Sequence, residues 1–387
     1  ESYGWFAVAD KIDMQAGRTA LQASSFDARS QFRLSGDDIS LLSVNLKGDA
    51  DIRAPKLSAR ALNAEGGQAH FESAAMQTEG GALRYRTLDV QGFDALAFDA
   101  TVLRIDELAL QPAHPTATLR LGAGSSLTTR RLAPQGMASL DNQGEVLLQE
   151  DMTLSGLRDI RNSGSIVAAS LALQATADQP ATVRNTGRWH IQGQAGLKNL
   201  TALSNSGEMR ANTLVLDNQG LSDAQRAAAS LENGGELALG GDLRLTGLGK
   251  VVNTRNIQAG NAVVDMRGSG TASHIENRGE VALRGSLELL GVAQLDNPGS
   301  VQADALTLDN SGETADLRNR ASFDSQGTLR LREALRLLGL GSFANRGEIE
   351  AGALIQEPGK PADGLAGLAL FDNGGEITLR DGLQLAS

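Results

Sequence analysis

The stretch Asn233-Gly-Gly-Glu-Leu-Ala-Leu-Gly-Gly-Asp-Leu-Arg-Leu-Thr-Gly247 decides how the chain is read, because it recurs. Gly279-Glu-Val-Ala-Leu-Arg-Gly-Ser-Leu-Glu-Leu-Leu-Gly291 repeats it. So do Gly327-Thr-Leu-Arg-Leu-Arg-Glu-Ala-Leu-Arg-Leu-Leu-Gly339 and Gly144-Glu-Val-Leu-Leu-Gln-Glu-Asp-Met-Thr-Leu-Ser-Gly156. Self-similarity at a fixed period is the mark of a chain that builds by stacking one small element on the next.

Outward from that stretch, Asn-x-Gly or a close variant begins at 142, 162, 185, 205, 233, 253, 277, 297, 345 and 373, with Ser325-Gln-Gly standing in once. Asn142 to Asn233 is 91 residues, and Asn185 to Asn277 is 92. Each such period divides into two repeats, and each repeat into a first rung of 20 residues and a longer second rung. In the first rung the positions four, six, ten and twelve after the Asn are apolar: Leu237, Leu239, Leu243 and Leu245 in the opening stretch. Gly156, Gly247, Gly291 and Gly339 stand fourteen after. In the second rung the sixth position is always Ala: Ala168, Ala211, Ala259, Ala303 and Ala351. Alternation at period two is a strand signal. Three short strands per rung predict a parallel β-helix. Its narrow core is filled by Leu-bearing rungs interleaved with Ala-bearing ones.

The corners are expected at Asn142/Gly144, Asn162/Gly164, Asn185/Gly187, Asn205/Gly207, Asn233/Gly235, Asn277/Gly279, Asn297/Gly299, Asn345/Gly347 and Asn373/Gly375. Gly there accepts positive φ, and stacked Asn can form an amide ladder. Insertions at 175–184, 221–232, 313–324 and 356–365 fall where second rungs end, so they are expected along one edge. Residues 1–110 carry a looser version of the same alternation, with three short apolar segments every 18 to 20 residues, and the Gly66-Gly67 and Gly80-Gly81 pairs read as turns or bulges. Residues 111–141, opening on Gln111-Pro-Ala-His-Pro115, are a transition, and 142–387 is the strict array, stopping part-way through its pattern.

The strict repeats resemble the haemagglutinin repeats of filamentous haemagglutinin-like exoproteins. These leave the cell by the two-partner route and include adhesins and effectors of contact-dependent growth inhibition. The resemblance covers 142–387. It implies a right-handed, elongated β-helix outside a Gram-negative cell, an outer-membrane two-partner transporter as partner, and a target-cell receptor or glycan. Neither a secretion domain nor a toxin module is recognisable in the sequence.

Bulk properties fit. Hydrophobic residues make up 41% of the 387, enough for a continuous core, and aromatics only 3%, which suits a narrow one. The net charge of −11 argues against nucleic acid as a partner. The absence of Cys removes disulfides and thiolate metal sites. No apolar run nears the ~18 residues that span a membrane.

The expectation is therefore a monomeric shaft segment that projects an adhesive or toxin-delivering element, with no enzymatic activity, cofactor or metal. Two alternatives stand beside it. Nine of the thirteen aromatics lie in the first 98 residues, so 1–141 could form a receptor- or glycan-binding module, with Trp5, Phe6, Phe71 and Tyr85 as contacts; a wider core at that end is the plainer reading. Asp37, Asp38, Asp49 and Asp51 could serve a polysaccharide-active β-helix enzyme, although each pair follows a corner Gly. Trp189 occupies an apolar column and reads as core, with His190 beside it facing out.

Overall fold

The computed structural model describes residues 2–3, 6–16, 21–270, 273–357 and 370–385, with side chains from residue 9 onward except 16–25. Strands dominate it, and every strand pairing given for the described residues is parallel. The fold is a parallel β-helix, a β-solenoid of about 17 turns. It resolves into two compact units, Glu1–Ala175 with Thr186–Gln192, and Thr176–Asn185 with Gly193–Ser387.

In the second unit one rung is three strands, Glu236–Leu239, Leu243–Thr246 and Lys250–Asn253. Each strand pairs in register with its counterpart one rung on, so Leu237 meets Ile257, Leu243 meets Ala262 and Val251 meets Ile275. Because these pairs keep register from rung to rung, identical sequence positions become continuous columns, and the inward ones are buried. Leu239, Ala259, Leu283, Ala303, Leu331 and Ala351 show the alternation of large and small directly; none is more than 6% exposed.

The first unit reaches the same result with longer strands. Leu62–Glu72 and Gly81–Phe93 each run through a corner. Gly66 and Gly67, expected in a turn or bulge, lie at such a corner within one continuous strand. The reason is stacking: a Cβ on Gly66 would sit 2.2 Å from the Gly48 carbonyl oxygen, so the corner is a close passage of two rungs. Between 111 and 141 the coil runs on. Pro112, which cannot donate to a ladder, is accommodated at a register shift against Phe93. Strands Ala117–Leu121 and Met137–Asn142 then continue the column.

The insertions are local. Asp223–Ala228 forms a short helix, α1, opened by a capping box between Ser222 and Gln225. Ala315–Arg320 forms α2, capped by Thr314 and anchored by buried Leu317. Both leave the coil between the second and third strands of a rung. Gln225 Nε2 donates to the Ala177 carbonyl at 2.9 Å, so neighbouring insertions touch along one edge. Residues 358–365 of the last insertion, with 366–369 after it, lie outside the described residues.

Candidate functional site

The repeated corner is the most elaborately built feature. Each corner Asn ends the third strand of a rung with its side chain turned inward: Asn142, Asn162, Asn185, Asn205, Asn233, Asn253, Asn277, Asn297 and Asn345 are 0–4% exposed. A buried primary amide needs partners for two N–H donors and a carbonyl, or its desolvation is uncompensated. The stacked copies supply them. In the second unit Nδ2 of Asn185 donates to Oδ1 of Asn205 at 2.8 Å. The chain continues Asn205 to Asn233 (2.8 Å), Asn233 to Asn253 (2.9 Å), Asn253 to Asn277 (2.8 Å) and Asn277 to Asn297 (2.8 Å). Asn345 donates to Asn373 at 2.8 Å. In the first unit Asn142 donates to Asn162 at 2.7 Å. The same nitrogen usually reaches a backbone carbonyl of the next rung as well, as from Asn233 to Asn256 at 3.0 Å. The Asn backbone carbonyl accepts from the next corner: Ser163 and Gly164 N–H reach Asn142 at 2.8 and 3.1 Å.

The corner glycines serve this stacking, but not through positive φ. None of Gly144, Gly164, Gly187, Gly235, Gly279, Gly299, Gly347 and Gly375 is in the left-handed region. A Cβ on Gly235 would instead lie 2.0 Å from the Gly207 carbonyl oxygen, and one on Gly164 would lie 1.9 Å from that of Gly144. Close approach excludes a side chain. Left-handed backbone belongs to the other corner, at Gly156, Gly247, Gly291 and Gly339, with φ of 66–77°.

That second corner holds residues the sequence analysis missed. Asn218 and Asn310 are fully buried. Asn310 Nδ2 donates to the Val292 carbonyl and its Oδ1 accepts the Val292 N–H, both at 2.9 Å. Asn218 does the same to Leu200 at 2.9 and 2.7 Å. Each asparagine thereby completes the backbone of a turn one rung away. The signal was present: Asn218-Gln-Gly220 and Asn310-Ser-Gly312 are themselves Asn-x-Gly, spaced by 92 residues.

The proposed contact aromatics do not form a surface. Phe71 is 0% and Tyr85 3% exposed, which corrects their reading as contacts. Phe71 lies between Ile52 and Val90 in a core column. Burial pushes the Tyr85 phenol above its ordinary pKa, with the Asp49 charge adding to the effect. Trp5, and the side chain of Phe6, lie outside the described residues. Phe26 and Phe32 are also buried, their rings 5.4 Å apart. The described aromatic side chains at this end therefore fill core.

Three of the four carboxylates in question are engaged at the surface. Asp38 faces Lys56 at 3.5 Å, Asp51 holds Arg53 at 2.9 Å, and Asp49 accepts the Gln68 N–H at 2.9 Å. Trp189 is 2% exposed in the column above Ile166, and His190 points outward. His70, His114 and His274 each contact one Asp, at 3.3, 2.7 and 3.0 Å. Among the described residues no cluster of three His, Asp or Glu is placed to hold a metal ion.

Columns, corners and ladders together define a repeat-built parallel β-helix whose rungs hold register through buried amides. Among proteins of known name, the chain is similar to Deoxyribonuclease CdiA of Dickeya dadantii (strain 3937), at 33% identity over 168 residues. That match covers 43% of this chain and 4% of the relative, so the chain spans a small part of the relative's length. No protein-family model matches the chain, and no solved structure matches it. The similarity is consistent with the filamentous haemagglutinin-like resemblance. It also corrects one expectation. The relative is named for a deoxyribonuclease, an enzyme, so the expectation of a protein without enzymatic activity does not stand.

Proposed function

We propose that this chain is a shaft segment of a secreted or cell-surface exoprotein of the contact-dependent inhibition type. Its rungs set the distance between the producing cell and a distal element that acts on a target cell. The observation that carries this reading is the repetition of one structural solution, a buried Asn ladder beside a Leu/Ala core, over rung after rung. A ligand site needs a unique constellation; a spacer needs the same one many times. The relative's name favours delivery of a nuclease over simple adhesion. An outer-membrane two-partner transporter is the export partner this reading implies.

The test is an in-phase deletion in the producing strain. Removing residues 233–276 takes out one two-rung repeat and places Asn277 where Asn233 stood. Export and contact-dependent killing of, or adhesion to, target cells should persist, and a second such deletion should behave alike. Loss of activity with export intact would show that 233–276 is a site rather than a spacer. Nuclease assay of the purified chain on duplex DNA belongs to the same experiment, because it separates carriage of an activity from possession of it.

A further inference from the structure

Independent defects meet at one step of the second unit. The amide ladder is continuous from Asn185 to Asn297 and resumes from Asn345 to Asn373. Between them stands Ser325. Its backbone pairs with Asn297 in register, and Gln326 and Gly327 N–H reach the Asn297 carbonyl at 3.0 and 2.8 Å. The side chains do not meet: Asn297 Nδ2 and Ser325 Oγ are both buried without a hydrogen-bond partner. A serine is too short to span the gap an asparagine closes elsewhere.

The apolar column changes character at the same step. Below it Leu295 follows Ile275 and Val251. Above it Phe323, Phe343 and Phe371 stack with ring centroids 5.3 and 5.2 Å apart. An apolar cavity of about 60 Å³ borders the step, with Leu295, Asn297, Phe323 and Leu329 among its walls. The chain also leaves the coil there to form α2. No amide link crosses either step that Ser325 makes. The upper one keeps the Phe323–Phe343 ring contact, whereas the lower one has neither an amide link nor a matched ring, so two blocks adjoin there.

We infer that the step from Asn297 to Ser325 is a joint built into the coil, at which it opens first. The block of residues 322–357 and 370–385 parts from the block below as one body while both ladders stay closed. In a solenoid each rung is held only by its neighbours, so the weakest step sets where opening begins. This inference goes beyond the shaft reading and does not depend on it, since it concerns the chain's own opening and not what the chain carries.

Hydrogen exchange followed by mass spectrometry on the full chain, in mild denaturant, tests it. Amides of Gln294–Asn297 and Ser322–Ser325 should exchange about tenfold faster than those of Ser230–Asn233 and Lys250–Asn253, which occupy the same column. Ser325→Asn, which supplies the missing link, should slow the fast set about fivefold, the factor that one net hydrogen bond of about 1 kcal/mol provides. Asn253→Ser should create a second fast step at its own rung. Equal exchange at the two places in the native chain overturns the joint. So does fast exchange that persists in folded Ser325→Asn. Should that variant not fold, Asn253→Ser decides alone: a new fast step there supports the joint, and unchanged protection there overturns it.

Discussion

At the scale of the residue, glycine does two different jobs at two corners. Gly235 is needed because a rung passes directly beneath it. Its Cβ would overlap the Gly207 carbonyl oxygen at 2.0 Å, an atom of backbone that cannot swing away. Gly156 is needed because its φ is +77°, while a Cβ there meets nothing within 4 Å. Gly235→Ala should therefore cost about 3 kcal/mol through overpacking. Gly156→Ala should cost only about 1–2 kcal/mol, the penalty of left-handed backbone for an L side chain. Denaturant midpoints of the two variants order the effects. The reverse order would mean that backbone strain outweighs steric overlap. In the first unit the start of the Asn ladder explains itself. Asn142 Oδ1 is buried without a partner because Leu121 stands beneath it in register, and the column before that is Phe98 and Thr78.

At the scale of the element, the strands of the array were legible and the clamps between them were not. Inward columns such as Leu237, Leu243 and Val251 could be read because each rung states them again, so agreement among copies replaces tertiary information. The amide ladder was legible for the same reason. Asn218 and Asn310 were not, since two copies 92 residues apart look like ordinary turn asparagines until the rung that they clamp is seen. The role of Gly235 was misread because the obstructing carbonyl belongs to another rung and leaves no trace in local sequence. In the first hundred residues the aromatics had no repeat to place them, so burial and exposure could not be told apart.

Two predictions belong to this scale. Asn310→Ala orphans the buried N–H and carbonyl of Val292. It should cost about 3 kcal/mol, at roughly 1–3 per unsatisfied group, and raise exchange at the turn after Gly291. A loss under 0.5 kcal/mol would mean that water replaces the amide. Ala262 sits in a column held by Leu243 and Leu287 on either side, and it helps to line the 60 Å³ apolar cavity. Its equivalents Leu214 and Leu306 fill the space. Ala262→Leu should add about 1 kcal/mol, from roughly 24 cal/mol for each Å³ of void removed. A lower midpoint would show that the neighbouring Leu residues have already closed over the space.

At the scale of the whole molecule, a solenoid has no contact between distant parts of its sequence, so its stability is a sum over adjacent rungs. The two-rung repeat makes that sum depend on phase. Deleting residues 233–276 removes one Leu-bearing and one Ala-bearing rung, and it brings Asn205 against Asn277 with the alternation of large and small restored. Deleting residues 233–252 removes a single rung. It still brings Asn205 against an asparagine, Asn253, so the amide ladder survives, but the Ala-bearing rung of Ala211 now stacks on that of Ala259. The missing Leu239 layer leaves a void of side-chain size, which should cost about 2–5 kcal/mol, as a Leu-to-Ala change does. The two-rung deletion should move the denaturant midpoint far less although it removes more than twice as much chain. Comparing the two midpoints by circular dichroism separates the ladder from the core: if both deletions prove equally mild, the amides alone hold the register. If the single-rung deletion alone is harmful, the pairing of rungs is a packing requirement, and the length of the coil can change only in steps of two.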